Sequence, residues 1–148
     1  MGVNIYAKIK PSKNKLEEYA KQMQSAIMSG NPDKVNLVAA RYELDFAPVH
    51  IGKYNNGWQF CFRNNDELYQ PTKDSLSNFL KQDNITIYVE HGREISYEEF
   101  WQEYGNSKGY NFITYYENHP TVPKPIRYNI PDDVINNEGM WWCNVEFC

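Results

Sequence analysis

A chain of 148 residues with a formal net charge of −4 is long enough to bury a core unaided, and one domain spanning residues 1–148 is expected. The mild, mixed charge is too weak for an acidic DNA mimic and argues against a nucleic-acid backbone binder, which would want a basic face. No window reaches the apolar length of a membrane span, and Met1 to Tyr6 lacks the basic-then-apolar run of a leader, so a cytoplasmic location is expected.

Val3 to Ile9 alternates in β-forming residues and predicts a first strand ending before Pro11. Ser12 then caps a helix in which Leu16, Tyr19, Ala20, Met23, Ala26 and Ile27 recur at three- and four-residue steps, closed by Gly30. Asn31-Pro32 suits a cap and first helical position, and Val35, Leu37, Val38 and Ala39 fit helix or strand, with a short helix running to about Tyr42 as the favoured expectation. Val49 to Lys53 and Trp58 to Phe62 are strand-like runs on either side of Tyr54-Asn55-Asn56-Gly57, whose Asn-Gly pair suits a tight hairpin turn. Pro71-Thr72 introduces a helix with Leu76, Phe79 and Leu80, and Ile85 to Glu90 predicts another strand.

Ser96 and Glu99 form a capping-box pair before a helix that places Phe100, Trp101 and Tyr104 on one face and ends at Gly105. Phe112 to Tyr116 reads as a strand. His119 to Pro131 holds four prolines and reads as a long extended loop of the kind that carries flaps or partner contacts. Met140 to Phe147 predicts a last strand, with Trp141, Cys143, Val145 and Phe147 on one face and Trp142, Asn144 and Glu146 on the other. The whole is an α+β fold, with an antiparallel or mixed sheet and helices mainly on one face.

Catalytic and cofactor motifs are absent. The chain has no P-loop, no GxGxxG after a strand, no HExxH and no GxSxG elbow. His50, His91 and His119 stand far apart without ligand-spaced partners, and Cys61, Cys143 and Cys148 have no CxxC spacing, so neither a metal nor a cofactor is expected. Cys61 and Cys143 lie in apolar runs and read as buried small hydrophobes.

The densest chemistry lies at the predicted hairpin, from His50 to Arg63. His50 and Gly52 alternate on one strand, Trp58 and Phe60 on the other, and Lys53 sits beside the turn. A cation, a second donor, a stacking plane and a glycine that permits close approach are the usual components of a site for a nucleotide-like ligand. The same residues also fit a simpler role, with Trp58 and Phe60 in the core and Lys53 at an exposed edge.

The opening Met1-Gly2-Val3-Asn4-Ile5-Tyr6, then His50-Ile51-Gly52-Lys53, then Gly57-Trp58-Gln59-Phe60, resembles a family of small phage and prophage proteins of uncharacterised activity. Glu94 to Phe100 matches a further segment common among them. Tyr54-Asn55-Asn56 departs from the family's Ser-Ser-x stretch, and the CxxC of many members is missing, so the zinc site they imply does not transfer. The resemblance implies a phage origin and draws Asn4, Tyr6, His50, Lys53 and Trp58 together as candidates.

Three functions follow as expectations. The first is capture, without catalysis, of a nucleotide-derived signal of host antiviral immunity. His50, Lys53 and Arg41 or Arg63 would hold its anionic groups, while Tyr6, Tyr54 or Trp58 would stack on its base. The second is a protein–protein inhibitor of a host defence factor, using exposed aromatics and the segment Thr121 to Tyr128. The third is a nucleotide-processing enzyme with His50 or His119 as acid–base. Surplus aromatics and open strand edges also leave a homo-oligomer as an expectation.

Overall fold

The computed structural model describes residues 2–123 and 134–144. The first strand, β1 (Gly2–Ile9), alternates as its sequence dictates: Ile5 and Ala7 are fully buried, while Asn4, Tyr6 and Lys8 point the other way. Six further strands join it: β2 (Val49–Asn55), β3 (Cys61–Arg63), β4 (Ile85–Val89), β5 (Glu94–Ile95), β6 (Val134–Asn137) and β7 (Met140–Cys143). They form one mixed sheet in the order β5-β4-β1-β2-β3-β7-β6, antiparallel throughout except for the parallel β3–β7 pair.

The helices begin where the capping residues require. The Ser12 hydroxyl accepts from the Lys15 amide to open α1 (Lys13–Met28), and Asn31 caps α2 (Pro32–Asp45) by accepting from the Asp33 amide. Gly30 joins them with φ of +70°, where a side chain would be strained. Thr72 caps α3 (Lys73–Leu80). Ser96 caps α4 (Tyr97–Glu99), which continues as a π-helical turn over Phe100–Gly105. The capping box is only half made, because the Glu99 carboxylate accepts from Arg93 at 3.0 Å.

The core lies between the Ile5 face of the sheet and the helices α3 and α4. Ile5, Ile51, Phe60, Phe62, Leu76, Phe100 and Trp142 are fully buried there. Phe62 stacks on Trp142 with ring centroids 4.7 Å apart, and Phe60 meets Phe62 edge-on at the same separation. The helices α1 and α2 contribute nothing to this core cluster and pack chiefly on each other, so they stand off the sheet as a helical hairpin.

The segment Phe112 to Tyr116 is a helix, α5 (Phe112–Asn118), where its aromatic and β-branched composition predicts a strand. Asn111 Oδ1 accepts from the Thr114 amide at 2.9 Å to open it, and Tyr115 packs on Trp58 and His119, so capping and packing override the propensity. This helix lies on the sheet face opposite α3 and α4, against Trp58, which in turn packs on Trp141. The last strand keeps its alternation, with Trp142 in the main core and Trp141 buried on the other face. Val145 to Cys148, and the proline-rich loop from Lys124 to Pro131, lie outside the described residues.

Candidate functional site

Two one-residue bulges decide where the candidate residues go. In β2, Gly52 pairs with Ile5 and His50 with Tyr6, so Ile51 is an extra residue between them. His50 and Gly52, two apart, would share a face of a regular strand. The bulge sends Gly52 inward and His50 outward. A Cβ on Gly52 would collide with the Phe60 ring and the Cys61 carbonyl, which is why the position holds glycine.

The second bulge follows the Asn56-Gly57 turn, in which the Trp58 amide donates to the Asn55 carbonyl at 2.9 Å and Gly57 has φ of +85°. A two-residue turn would set Lys53 opposite Phe60. Lys53 instead pairs with Cys61 and Gly52 with Phe62, so the ladder is displaced by one residue. The backbone from Gly57 to Phe60 is drawn to another segment: Gln59 donates to the Tyr110 carbonyl at 2.7 Å and Phe60 to the Ser107 hydroxyl at 3.0 Å. Phe60 therefore enters the core, and Trp58 turns to the opposite face, 5.2 Å from Tyr115 and 6.0 Å from Trp141.

The structure thereby divides the hairpin residues that the sequence groups together. Trp58 does not converge with His50. Tyr54 packs against the main core and edge-on to Tyr104 at 5.9 Å. Arg41 lies on the helical hairpin, in a groove it shares with Lys21 and Lys34.

Asn4, Tyr6, His50 and Lys53 do share one face, the outward side of β1 and β2. His50 Nε2 lies 3.0 Å from Asn4 Oδ1. Asn4 gives its side-chain amide to Glu90 Oε2 at 3.2 Å, so its oxygen accepts and His50 carries its proton on Nε2. The Asn4 backbone amide also donates to Glu90 Oε1 at 2.9 Å. These bonds from the Asn4 backbone and side chain hold the Glu90 carboxyl below the usual carboxylate range, helped by the charges of His91 and Lys53. Tyr6 stands between His50 and Tyr88, stacked on each at centroid separations of 5.1 and 5.7 Å, and the Lys8 ammonium sits 4.9 Å over the Tyr88 ring. The Tyr88 hydroxyl is pushed above its usual value by burial and then by Tyr6.

Because both faces of Tyr6 are already covered, this ladder of rings offers edges and hydroxyls to a partner, and no open plane at Tyr6 for a base. The concave feature lies at its end. His50 and Arg63 line one open cleft of about 710 Å³ between the C-terminal end of α2 and the segment after β3. Ile9, Leu44, Val49 and Leu68 give the cleft an apolar wall, Asn64 and Asn65 add amides, and Asp45 and Glu67 add acids. The volume falls within the range of small-molecule sites, roughly 300–1,000 Å³. Tyr69 fixes the end of β3, its buried hydroxyl donating to the Arg63 carbonyl at 2.7 Å, and burial pushes that phenol well above its usual pKa.

Sequence reasoning missed Lys8, Tyr88 and Glu90. Thr86, Tyr88 and Glu90 alternate with Ile85, Ile87 and Val89, so the polar face of β4 is legible. Its place beside β1 is a long-range fact. Asn65 and Leu68, in an irregular segment, carried no signal. Among the described residues no group of three His, Cys, Asp or Glu side chains is placed to hold a metal, and Cys61 and Cys143 are buried. No helix among them is long and apolar enough to cross a membrane. Compared with protein-family models, curated proteins and solved structures, the chain matches none.

Proposed function

We propose that this chain is a non-catalytic binding protein for a small anionic ligand of nucleotide type, seated in the cleft at the foot of the α1–α2 hairpin. The observation that carries the reading is that His50 and Arg63, from two adjacent strands, line one cleft of nucleotide size. The Arg63 guanidinium suits a phosphate, which it can hold through two parallel hydrogen bonds. The apolar wall of Ile9, Leu44, Val49 and Leu68 suits a base, and the Asn64 and Asn65 amides suit its polar edge. His50 is held in place by Asn4 and Tyr6. The resemblance to small phage proteins supports a phage origin, a host immune signal as the ligand and the host cytoplasm as the place of action.

Docking to a host protein is the second reading, supported by the ring ladder of Tyr88, Tyr6 and His50, whose hydroxyl edges suit a hydrogen-bonding protein surface. Thermal denaturation against mono-, di- and cyclic nucleotides and NAD separates the two. A ligand at a hundred times its dissociation constant stabilises the fold by about 2.7 kcal/mol. Mass spectrometry of the supernatant after boiling is expected to return the compound unchanged. A converted product would make the chain an enzyme, and no shift across the panel would leave the protein-partner reading in its place.

A further inference from the structure

We infer that the α1–α2 hairpin is a self-association surface, and that a second copy of this chain covers its apolar flank to make a four-helix bundle. Six of the nine large hydrophobic side chains exposed among the described residues belong to this hairpin: Leu16 and Tyr42 line the apolar flank, Leu37 the other flank and Leu44 the cleft at the base, with Ile27 and Met28 near the tip. Only Ala26 of α1 and Val38 of α2 are buried. Each helix carries an apolar stripe wider than one partner helix can cover, as the helices of four-helix bundles do.

The two flanks of the hairpin differ. One groove holds Lys21, Lys34 and Arg41. The other, of about 360 Å³, is lined by Leu16, Tyr19, Ala20, Met23, Val38, Ala39 and Tyr42 and by a single charged residue, Glu43. Ala20 and Ala39 lie at its middle, where small side chains let a second pair of helices approach closely.

Size and charge favour a second copy as the occupant. The sixteen residues of α1 make a helix about 24 Å long, and two helices side by side are about 20 Å wide. Two such faces together bury roughly 1,000 Å², the lower bound for a specific interface. The charge on this flank lies at the base, with Glu43 one turn beyond Ala39. Helical spacing puts uncharged Gln24 one turn above Ala20, and uncharged Asn36 one turn from Ala39 toward the tip. An antiparallel two-fold arrangement sets the base of one hairpin against the tip of the other, so each Glu43 faces amides and no like charge meets its mate.

Sedimentation velocity of the full chain from about 5 to about 500 μM tests this, a range chosen for the weak association of an interface at the lower size bound. The wild type is expected to pass from monomer to dimer across the series. Ala39→Glu and Ala20→Glu are expected to remain monomeric with unchanged far-UV circular dichroism, while Lys21→Ala, on the other flank, dimerises like the wild type. Should Ala39→Glu lose helix, Ala20→Glu decides, because position 20 is exposed. A wild type that is monomeric throughout, or a dimer that survives the folded glutamate variants, overturns the inference.

Discussion

Helices α1 and α3 carry the same local signal, a hydroxyl cap followed by apolar residues at three- and four-residue steps, yet they end in opposite circumstances. In α3, four of eight residues are buried, including Leu76 and Phe79; in α1, one of sixteen is. The pattern is sufficient to make a helix, and it does not say what the helix will lie on. For α3 the answer is the Ile5 face of the sheet. For α1 it is α2, with half the stripe left over.

That contrast makes predictions of graded size. The largest concerns the aromatic core. Trp142→Ala should cost about 3–5 kcal/mol in urea unfolding, whereas Leu37→Ala, on the exposed side of the hairpin, should stay within about 0.5 kcal/mol. Equal costs would erase the distinction between the regions. Next comes Gly52→Ala, expected to cost about 1–3 kcal/mol because the new methyl meets the Phe60 ring and the Cys61 carbonyl. Combining it with Phe60→Leu should recover part of that loss, and strict additivity would show that the ring is not the obstacle.

The smallest effect is electrostatic and lies on the outward face. Glu90 has a folded pKa below its unfolded one, so its contribution is fully present above the ordinary carboxylate range and is lost as pH falls through the folded value. The stability difference between wild type and Glu90→Gln should therefore shrink on acidification and be weaker throughout in Asn4→Ala. A difference that grows toward low pH would reverse the sign and remove the Asn4–Glu90 bonds as its cause.

Where the chain was legible, the deciding contacts are local. Ser12, Asn31, Thr72 and Ser96 mark helix starts within a few residues of their partners, and the turn at Asn56-Gly57 rests on the positive φ of Gly57 alone. The misplacements have distant causes. The bulge at Ile51 is set by pairing with β1, and the displacement of Trp58 to Phe60 is set by Ser107 and Tyr110, some fifty residues away. A one-residue slip sends every later side chain of a strand to the other face. This is how Gly52 and Phe60 turn into the core while His50 and Trp58, each two residues away along the chain, take the outward face. Asn4, Tyr6, His50 and Lys53 do meet, because β1 and β2 pair, while Arg63 joins His50 only at a cleft whose wall comes from α2 and the segment after β3.

The placement of the ligand site is tested most directly by amide ¹H–¹⁵N spectra of the full chain, titrated with whichever nucleotide of the panel most raises the melting temperature. Perturbations should centre on Ile9, Val49, His50, Asn64 and Asn65. Arg63→Ala should weaken binding by at least about tenfold, the loss of one charged hydrogen-bonding group. The Tyr69 bond to the residue 63 carbonyl survives that substitution, because it uses only backbone. Perturbations centred instead on Lys53 to Trp58, or an Arg63→Ala affinity equal to wild type, would contradict the assignment of the cleft.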